Sequence, residues 1–76
     1  MVTAFIMIKA NTGEADRLRD NIESIDGVQS AHIVAGDVDL IAKAVVETPA
    51  EVKEIAATHI QTIAGIEDTQ TYIAMD

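Results

Sequence analysis

Two carboxylates and a glycine lie together at Gly36-Asp37-Val38-Asp39, between two apolar runs of the chain. Such a group at a strand turn is either an ordinary hairpin tip or part of a binding site. Asp37 and Asp39 offer a pair of oxygen ligands for a cation, but a calcium site takes about six to eight oxygens. This turn is therefore the first candidate site, and its residues alone do not name a ligand.

The two histidines do not indicate a metal or catalytic site. His32 and His59 lack metal-ligand spacing, and the chain contains no cysteine. His59 falls in the apolar pattern of a predicted helix and is expected to be packed, while His32 is expected at an interface or, as the alternative, against a ligand. No G-x-S-x-G, P-loop, G-x-G-x-x-G or H-E-x-x-H motif occurs. The sequence predicts no enzyme, no cofactor and no metal.

The net charge of −8, from 13 acidic and 5 basic residues, argues against direct binding to nucleic acid or to anionic membranes. It favours a salt-loving source, because salt screens the self-repulsion of an acidic chain. No apolar run reaches the roughly 20 residues of a membrane span, and no signal peptide is recognisable. We expect residues 1–76 to form one small cytoplasmic domain.

The two halves of the chain are similar, because residues 24–36 resemble residues 62–74. Each half predicts a strand, a helix, a glycine turn and a second strand. The predicted strands cover residues 2–9, 28–34, 39–46 and 67–75. The order βαββαβ predicts an α+β, ferredoxin-like fold: a four-stranded antiparallel sheet with two helices on one face.

Both predicted helices begin at a capping box. Asn11 and Glu14 supply the first box, and Thr48 and Glu51 supply the second, with Pro49 at the first helical position. A glycine follows each helix and is expected to end it. Apolar residues at helical spacing predict the buried faces, which are Ala15, Leu18, Ile22 and Ile25 in the first helix and Val52, Ile55, Ala56, His59, Ile60 and Ile63 in the second.

The predicted strands are apolar on both faces. In the first strand Ile6 and Ile8 alternate with Phe5 and Met7, and the third strand has the same pattern. Two helices cover only one face, so we expect the other to pack against a second copy, sheet against sheet, in an obligate homodimer. A monomer with an apolar surface is the alternative.

Taken together, these motifs resemble the effector-binding (RAM) domain of the Lrp/AsnC, or feast/famine, transcription regulators. Three segments carry the resemblance: Ile25-Asp26-Gly27-Val28, the run His32-Ile33-Val34-Ala35-Gly36-Asp37-Val38-Asp39-Leu40, and Ile63-Ala64-Gly65-Ile66 followed by Thr69 and Thr71. Order, spacing and length agree over essentially the whole chain.

The resemblance implies a ferredoxin-like domain that pairs through its sheet and assembles further into a ring, often an octamer. It also implies that an amino acid or a related small metabolite binds between dimers. Carried over to this chain, the ligand-binding residues are Gly36, Asp37, Val38, Asp39, Thr69 and Thr71. Asp39 would then pair with a ligand ammonium, while threonine hydroxyls and the N–H groups around Gly36 would meet other polar atoms.

Two departures from the family pattern affect this interpretation. Val38 stands where the family usually has an aromatic residue, and no helix-turn-helix precedes the first strand. We therefore expect a stand-alone sensing and oligomerisation domain that modulates transcription through assembly with itself or with a full-length regulator. The alternatives are an oligomerisation module without ligand, an ACT-like amino-acid-binding domain and, less in keeping with the sequence, an enzyme with a pocket at the dimer interface.

Overall fold

A computed structural model describes the backbone of residues 1–76 and every side chain except that of Thr12. Four strands form one antiparallel sheet in the spatial order β2-β3-β1-β4, namely β1 (Val2–Ala10), β2 (Val28–Ile33), β3 (Leu40–Val46) and β4 (Ile66–Ile73). A 3₁₀ turn, Thr12–Glu14, leads into helix α1 (Ala15–Glu23); helix α2 (Pro49–Lys53) continues as a π-helical segment, Glu54–Ile60. The predicted ferredoxin-like arrangement is confirmed, and the strand ends differ from the prediction by one or two residues.

The helices close one face of the sheet. On the two central strands the even-numbered residues point toward them, and Ile6 and Ile8 of β1 lie beside Ala42 and Leu40 of β3 with no exposed surface. The helices contribute the other large buried side chains of the core, which are Leu18, Ile22, Val52, Ile55 and Ile60. Alternation along each strand is therefore what separates the core from the opposite face.

The opposite face, here called the open face, carries the odd-numbered residues of β1 and β3. Phe5 stands opposite Lys43 on one side and Tyr72 on the other, in one row across three strands. Phe5 is 37% exposed and Tyr72 51% exposed. Met7 and Ile41 form the next row and are half-buried. The chain itself leaves this apolar face without a covering layer.

Of the two predicted capping boxes, only the second supplies a side-chain cap. The Thr48 hydroxyl oxygen accepts from the Glu51 N–H at 3.3 Å, and Pro49 occupies the first turn of α2 as predicted. The Asn11–Glu14 box is wrong, because Asn11 makes no side-chain cap and a 3₁₀ turn separates it from α1. The Glu14 carboxylate instead pairs with Arg17, one turn into the helix, at 3.0 Å.

The second helix is not the regular α-helix that its pattern predicts. After Lys53 the helix becomes π-helical, and the Gln61 N–H donates to the Ala56 carbonyl, five residues back, at 3.2 Å. With five-residue steps Ile60, rather than His59, follows Ile55 onto the buried side. The prediction of a packed His59 is therefore wrong: its side chain is 49% exposed, with Nε2 4.0 Å from Glu54 Oε1.

The first helix ends earlier than predicted, at Glu23, so Ile25 lies beyond it but still packs on the core. Gly27 then turns the chain into β2 with a φ of 95°, in the left-handed region that favours glycine. A side chain there would also collide with the core, since a Cβ would come within 2.9 Å of Ile55 Cδ1. The expected glycine turn is thus required both by its dihedral angle and by packing.

Candidate functional site

The turn between β2 and β3 is attached to the end of β1 through Asp39. The Asp39 Oδ2 accepts from the Ala10 N–H at 2.9 Å. The Asp39 N–H donates to the Ile8 carbonyl at 2.9 Å, and its own carbonyl accepts from the Val34 N–H at 2.9 Å. Asp39 is half-buried, whereas Gly36 and Asp37 are exposed. One oxygen of the carboxylate that the resemblance assigned to a ligand ammonium is therefore already bonded within the fold.

The tip of the turn presents backbone donors to solvent. Within the part of the chain that the structure describes, no group accepts from the N–H of Gly36, Asp37 or Val38. Lys9 lies beside them, with its Nζ 3.4 Å from the Asp37 carbonyl oxygen. Adjacent N–H groups near a cation form a suitable environment for a carboxylate, and the exposed Asp37 side chain offers an anion a short distance along the chain.

Thr69 and Thr71 lie elsewhere, on the edge strand β4. Their β1 neighbours are Ile8 and Ile6, so both threonines face the helix side of the sheet. They line a cavity of about 350 Å³ between β4 and the second helix. The remaining wall is mostly apolar, with one cation and one amide, and consists of Pro49, Val52, Lys53, Ala56, Ala57, Gln61 and Ile73.

One hydrogen bond fixes a polar group in this cavity, here called the β4 groove. The Gln61 amide Nε2 donates to the Thr69 hydroxyl at 2.7 Å. Thr71 is exposed and has its hydroxyl available, and Lys53 carries the positive charge at the rim. Sequence reasoning missed Lys53 and Gln61 as wall residues, although their position on the second helix, facing the predicted fourth strand, was a usable signal.

The six predicted ligand-binding residues do not form one pocket within a single chain. None of residues 36–39 lines the β4 groove. Leu40 and Thr69 are on opposite sides of Ile8, so two strand spacings, about 10 Å, separate the two ends. A ligand that touches both groups within one chain would have to span this distance.

A second cavity, at the end of the sheet away from the β2–β3 turn, is acidic. Its volume is also about 350 Å³, and it is lined by Asp26, Gly27, Val45, Val46, Glu47, Glu51, Glu54, Ile55 and His59. The described side chains include no group of three or more His, Asp or Glu that could hold a metal ion. Nor does any helix of the described residues have the length and apolar character needed to cross a membrane.

Comparison with known proteins gives a family match over nearly the whole chain. The family model described as the Lrp/AsnC ligand binding domain matches residues 3–76. The leucine-responsive regulatory protein of Haemophilus influenzae is 24% identical over 76 residues, covering 100% of this chain and 46% of that protein. An uncharacterised HTH-type transcriptional regulator of Pyrococcus abyssi is 34% identical over 77 residues, covering 97% of this chain and 51% of that protein. The chain thus spans about half the length of the curated relatives it matches.

Solved structures show the same fold. A crystal structure of a Thermus thermophilus protein superposes with a TM-score of 0.95 at 26% identity and covers 100% of this chain and 95% of that one. A Neisseria meningitidis transcriptional regulator, solved as a complex with L-Met, gives a TM-score of 0.84 at 16% identity and covers 99% of this chain and 50% of that one. At 16% identity the second likeness shows the fold alone.

Proposed function

Because the chain belongs to the Lrp/AsnC ligand-binding domain family, we propose that it binds an amino acid or a related small metabolite and couples that binding to self-assembly. The family consists of ligand-binding domains of transcription regulators rather than enzymes. Transcription would be modulated through this assembly, either of the chain alone or with a full-length regulator. Coupling requires only that the effector bind one assembly state more tightly than another.

The observation that carries the proposal is the set of unpaired backbone donors at the tip of the β2–β3 turn. A zwitterionic amino acid needs hydrogen-bond donors for its carboxylate and an acceptor for its ammonium. The N–H groups of Gly36, Asp37 and Val38, with Lys9 nearby, meet the first need. The exposed Asp37 carboxylate meets the second.

The β4 groove would receive the effector's side chain from a neighbouring copy. Its volume of about 350 Å³ is within the range of small-molecule sites, and its wall is mostly apolar. The hydroxyls of Thr69 and Thr71 provide orientation by hydrogen bonding. Residues 36–39 do not line this groove in the single chain, so a groove from one copy beside a turn from another would bind the effector more tightly in the assembly, which is the coupling that the proposal needs.

The open face supplies the assembly itself. Phe5, Met7, Ile41 and Tyr72 form a continuous apolar patch that the helices do not reach. Exposed apolar patches of this kind mark interaction surfaces, and two identical faces satisfy each other in an isologous dimer. Higher assembly, into an octamer or similar ring, would place the turns of one dimer against the grooves of the next. The L-Met found in the Neisseria regulator makes methionine one of the first effectors to test.

A thermal-unfolding panel of the twenty amino acids tests this function. At fixed protein concentration, and at both low and molar potassium chloride, an effector at about a hundredfold excess over its Kd should raise Tm by roughly 5 °C or more. Thr71→Val should reduce that shift, whereas Thr58→Val, at an exposed threonine outside the groove, should preserve it. Equal shifts in both variants would remove the groove from the site.

A flat panel on a folded oligomer would favour the second candidate, an oligomerisation module without ligand. The specific observation for that candidate is the open face, which needs a partner whether or not an effector exists. The family match over residues 3–76 favours an Lrp/AsnC assembly over an ACT-like one.

A further inference from the structure

We propose that Asp39 is a positioning residue, which holds the effector-binding turn on the end of β1, and that its negative charge does not meet the effector. This inference rests on the proposed function for its ligand and on the structure for its geometry. It reassigns the ammonium partner to Asp37, the exposed carboxylate two residues earlier in the same turn.

One oxygen of the Asp39 side chain is already bonded within the fold. Its Oδ2 accepts from the Ala10 N–H at 2.9 Å, and Ala10 is 5% exposed. A buried N–H without an acceptor costs free energy, so the fold holds this carboxylate against the last residue of β1. The β1–β4 register also shifts between Lys9 and Ala10, which places Ala10 at an irregular point of the sheet.

The backbone of Asp39 makes two further hydrogen bonds, one to β1 and one to the residue that follows β2. Its N–H reaches the Ile8 carbonyl on β1, and its carbonyl receives the Val34 N–H at the end of β2. Asp39 therefore joins the ends of two strands. The segment from Ala35 to Val38, which is exposed except at the half-buried Val38, lies between these bonds and the Lys9 contact at 3.4 Å. Anchoring at this point determines where the N–H groups of residues 36–38 lie.

The hydrogen bond from Ala10 requires an oxygen atom but not a charge, and this separates the two roles of the residue. Asp39→Asn retains an acceptor oxygen for the Ala10 N–H and removes the charge. Asp39→Ala removes both. Asp37→Asn removes a charge from the turn without removing any side-chain bond within the described residues. The three variants therefore distinguish an anchor from a charged ligand contact.

The experiment combines amide hydrogen exchange with calorimetric titration of whichever amino acid raises Tm most in the wild-type protein. Asp39→Ala should speed exchange of the Ala10 amide and weaken effector binding, each by about tenfold or more. Asp39→Asn should keep both within about threefold of wild type, while Asp37→Asn should weaken binding by about tenfold and leave Ala10 exchange unchanged.

Two results would overturn the assignment. One is an Asp39→Asn protein that keeps Ala10 protected but loses as much affinity as Asp39→Ala, since the charge would then act directly on the effector. The other is unchanged Ala10 exchange in Asp39→Ala. Should Asp39→Ala fail to fold, the order of affinities decides: Asp39→Asn above Asp37→Asn supports the anchor, and the reverse order rejects it.

Failure of the proposed function gives a different signature. A wild-type protein that binds none of the amino acids removes the effector but leaves the exchange comparison intact. Faster exchange at Ala10 in Asp39→Ala but not in Asp39→Asn then still supports the anchor, and equal exchange in the two variants rejects it.

Discussion

The two faces of the sheet are built from alternate residues of the same strands, yet they differ in what covers them. On the helix face Ile6, Ile8 and Leu40 have no exposed surface. On the open face Phe5, which precedes Ile6 in the sequence, is 37% exposed, and Tyr72, which stands opposite Phe5 on β4, is 51% exposed. The helix face of the two central strands is wholly apolar, whereas the open face mixes apolar residues with Thr3, Lys9 and Lys43 and has no covering layer in the chain.

This contrast explains how a small domain can be both folded and ready to assemble. The helix face gives the chain a hydrophobic core of its own. This core is small, because a domain of 76 residues buries a smaller fraction of its surface than a larger domain does. The open face keeps apolar area available, and in the proposed dimer its burial would add stability that the single chain lacks. One face is therefore expected to respond to core mutations, and the other to mutations that affect association.

The largest expected effect comes from a truncation on the helix face. Ile6→Ala should lower the free energy of unfolding by about 2–5 kcal/mol, because it removes fully buried methyl and methylene groups and leaves a cavity. Thr3→Ala, on the open face of the same strand, is the matched control and should cost less than about 1 kcal/mol. Urea unfolding measures both. Similar losses in the two variants would contradict the distinction between the faces.

The next effect in size concerns the open face. Phe5→Lys should raise the dissociation constant of the dimer by about a hundredfold or more, since it would bury an unpaired charge directly opposite Lys43. Sedimentation velocity over a range of protein concentrations measures this constant. Asn21→Lys, which adds the same charge at an exposed position of α1, should leave it unchanged. Equal dissociation in both variants would attribute the effect to net charge instead of the interface.

A smaller effect tests the helices that cover the core. Thr48→Ala should cost about 1 kcal/mol, because the Thr48 hydroxyl caps α2 through the Glu51 N–H. Asn11→Ala should cost no more than roughly a few tenths of a kcal/mol, since Asn11 makes no side-chain cap. Thermal unfolding of the two variants at equal concentration compares them. A larger loss in Asn11→Ala would show that the first capping box forms after all.

The smallest effect is electrostatic and lies at the start of α1. The Arg17 guanidinium, through its hydrogen bonds and its positive charge, lowers the pKa of Glu14 below the usual value of 4.5. The folded state therefore gains from this pair above about pH 4.5, and the gain is lost as the pH falls through the lowered pKa. Carbon-detected NMR titration should show the Glu14 midpoint rising in Arg17→Ala. An unchanged midpoint would mean that the ion pair is not formed in solution.

Much of the fold followed from the sequence because its strongest signals are local. Apolar runs bounded by turn residues predicted the strands, the Thr48-Pro49 start predicted the second helix, and the half-repeat supported the order βαββαβ. The first capping box does not form, and the Glu14 carboxylate accepts hydrogen bonds from the Arg17 guanidinium rather than from the backbone. His59 failed because the spacing rule assumes about 3.6 residues per turn, and the π-helical segment departs from it.

The candidate site was less predictable, for a physical reason. The resemblance supplied the residues of the turn and of β4, but their arrangement depends on sheet order, which puts β1 between them. Likewise, an aspartate in a turn carries the same sequence signal whether it binds a ligand or an N–H of its own chain. The 2.9 Å contact between Asp39 Oδ2 and the Ala10 N–H is the observation that supports the second role for Asp39.

The most direct test of the account is calorimetric titration of the best effector into wild-type protein and into Phe5→Lys, with circular dichroism confirming that both are folded. If the effector binds between copies, the wild type should bind it and the dissociated variant should bind at least about tenfold more weakly. A folded monomeric variant that binds with wild-type affinity would contradict the account, because the site would then be complete within one chain.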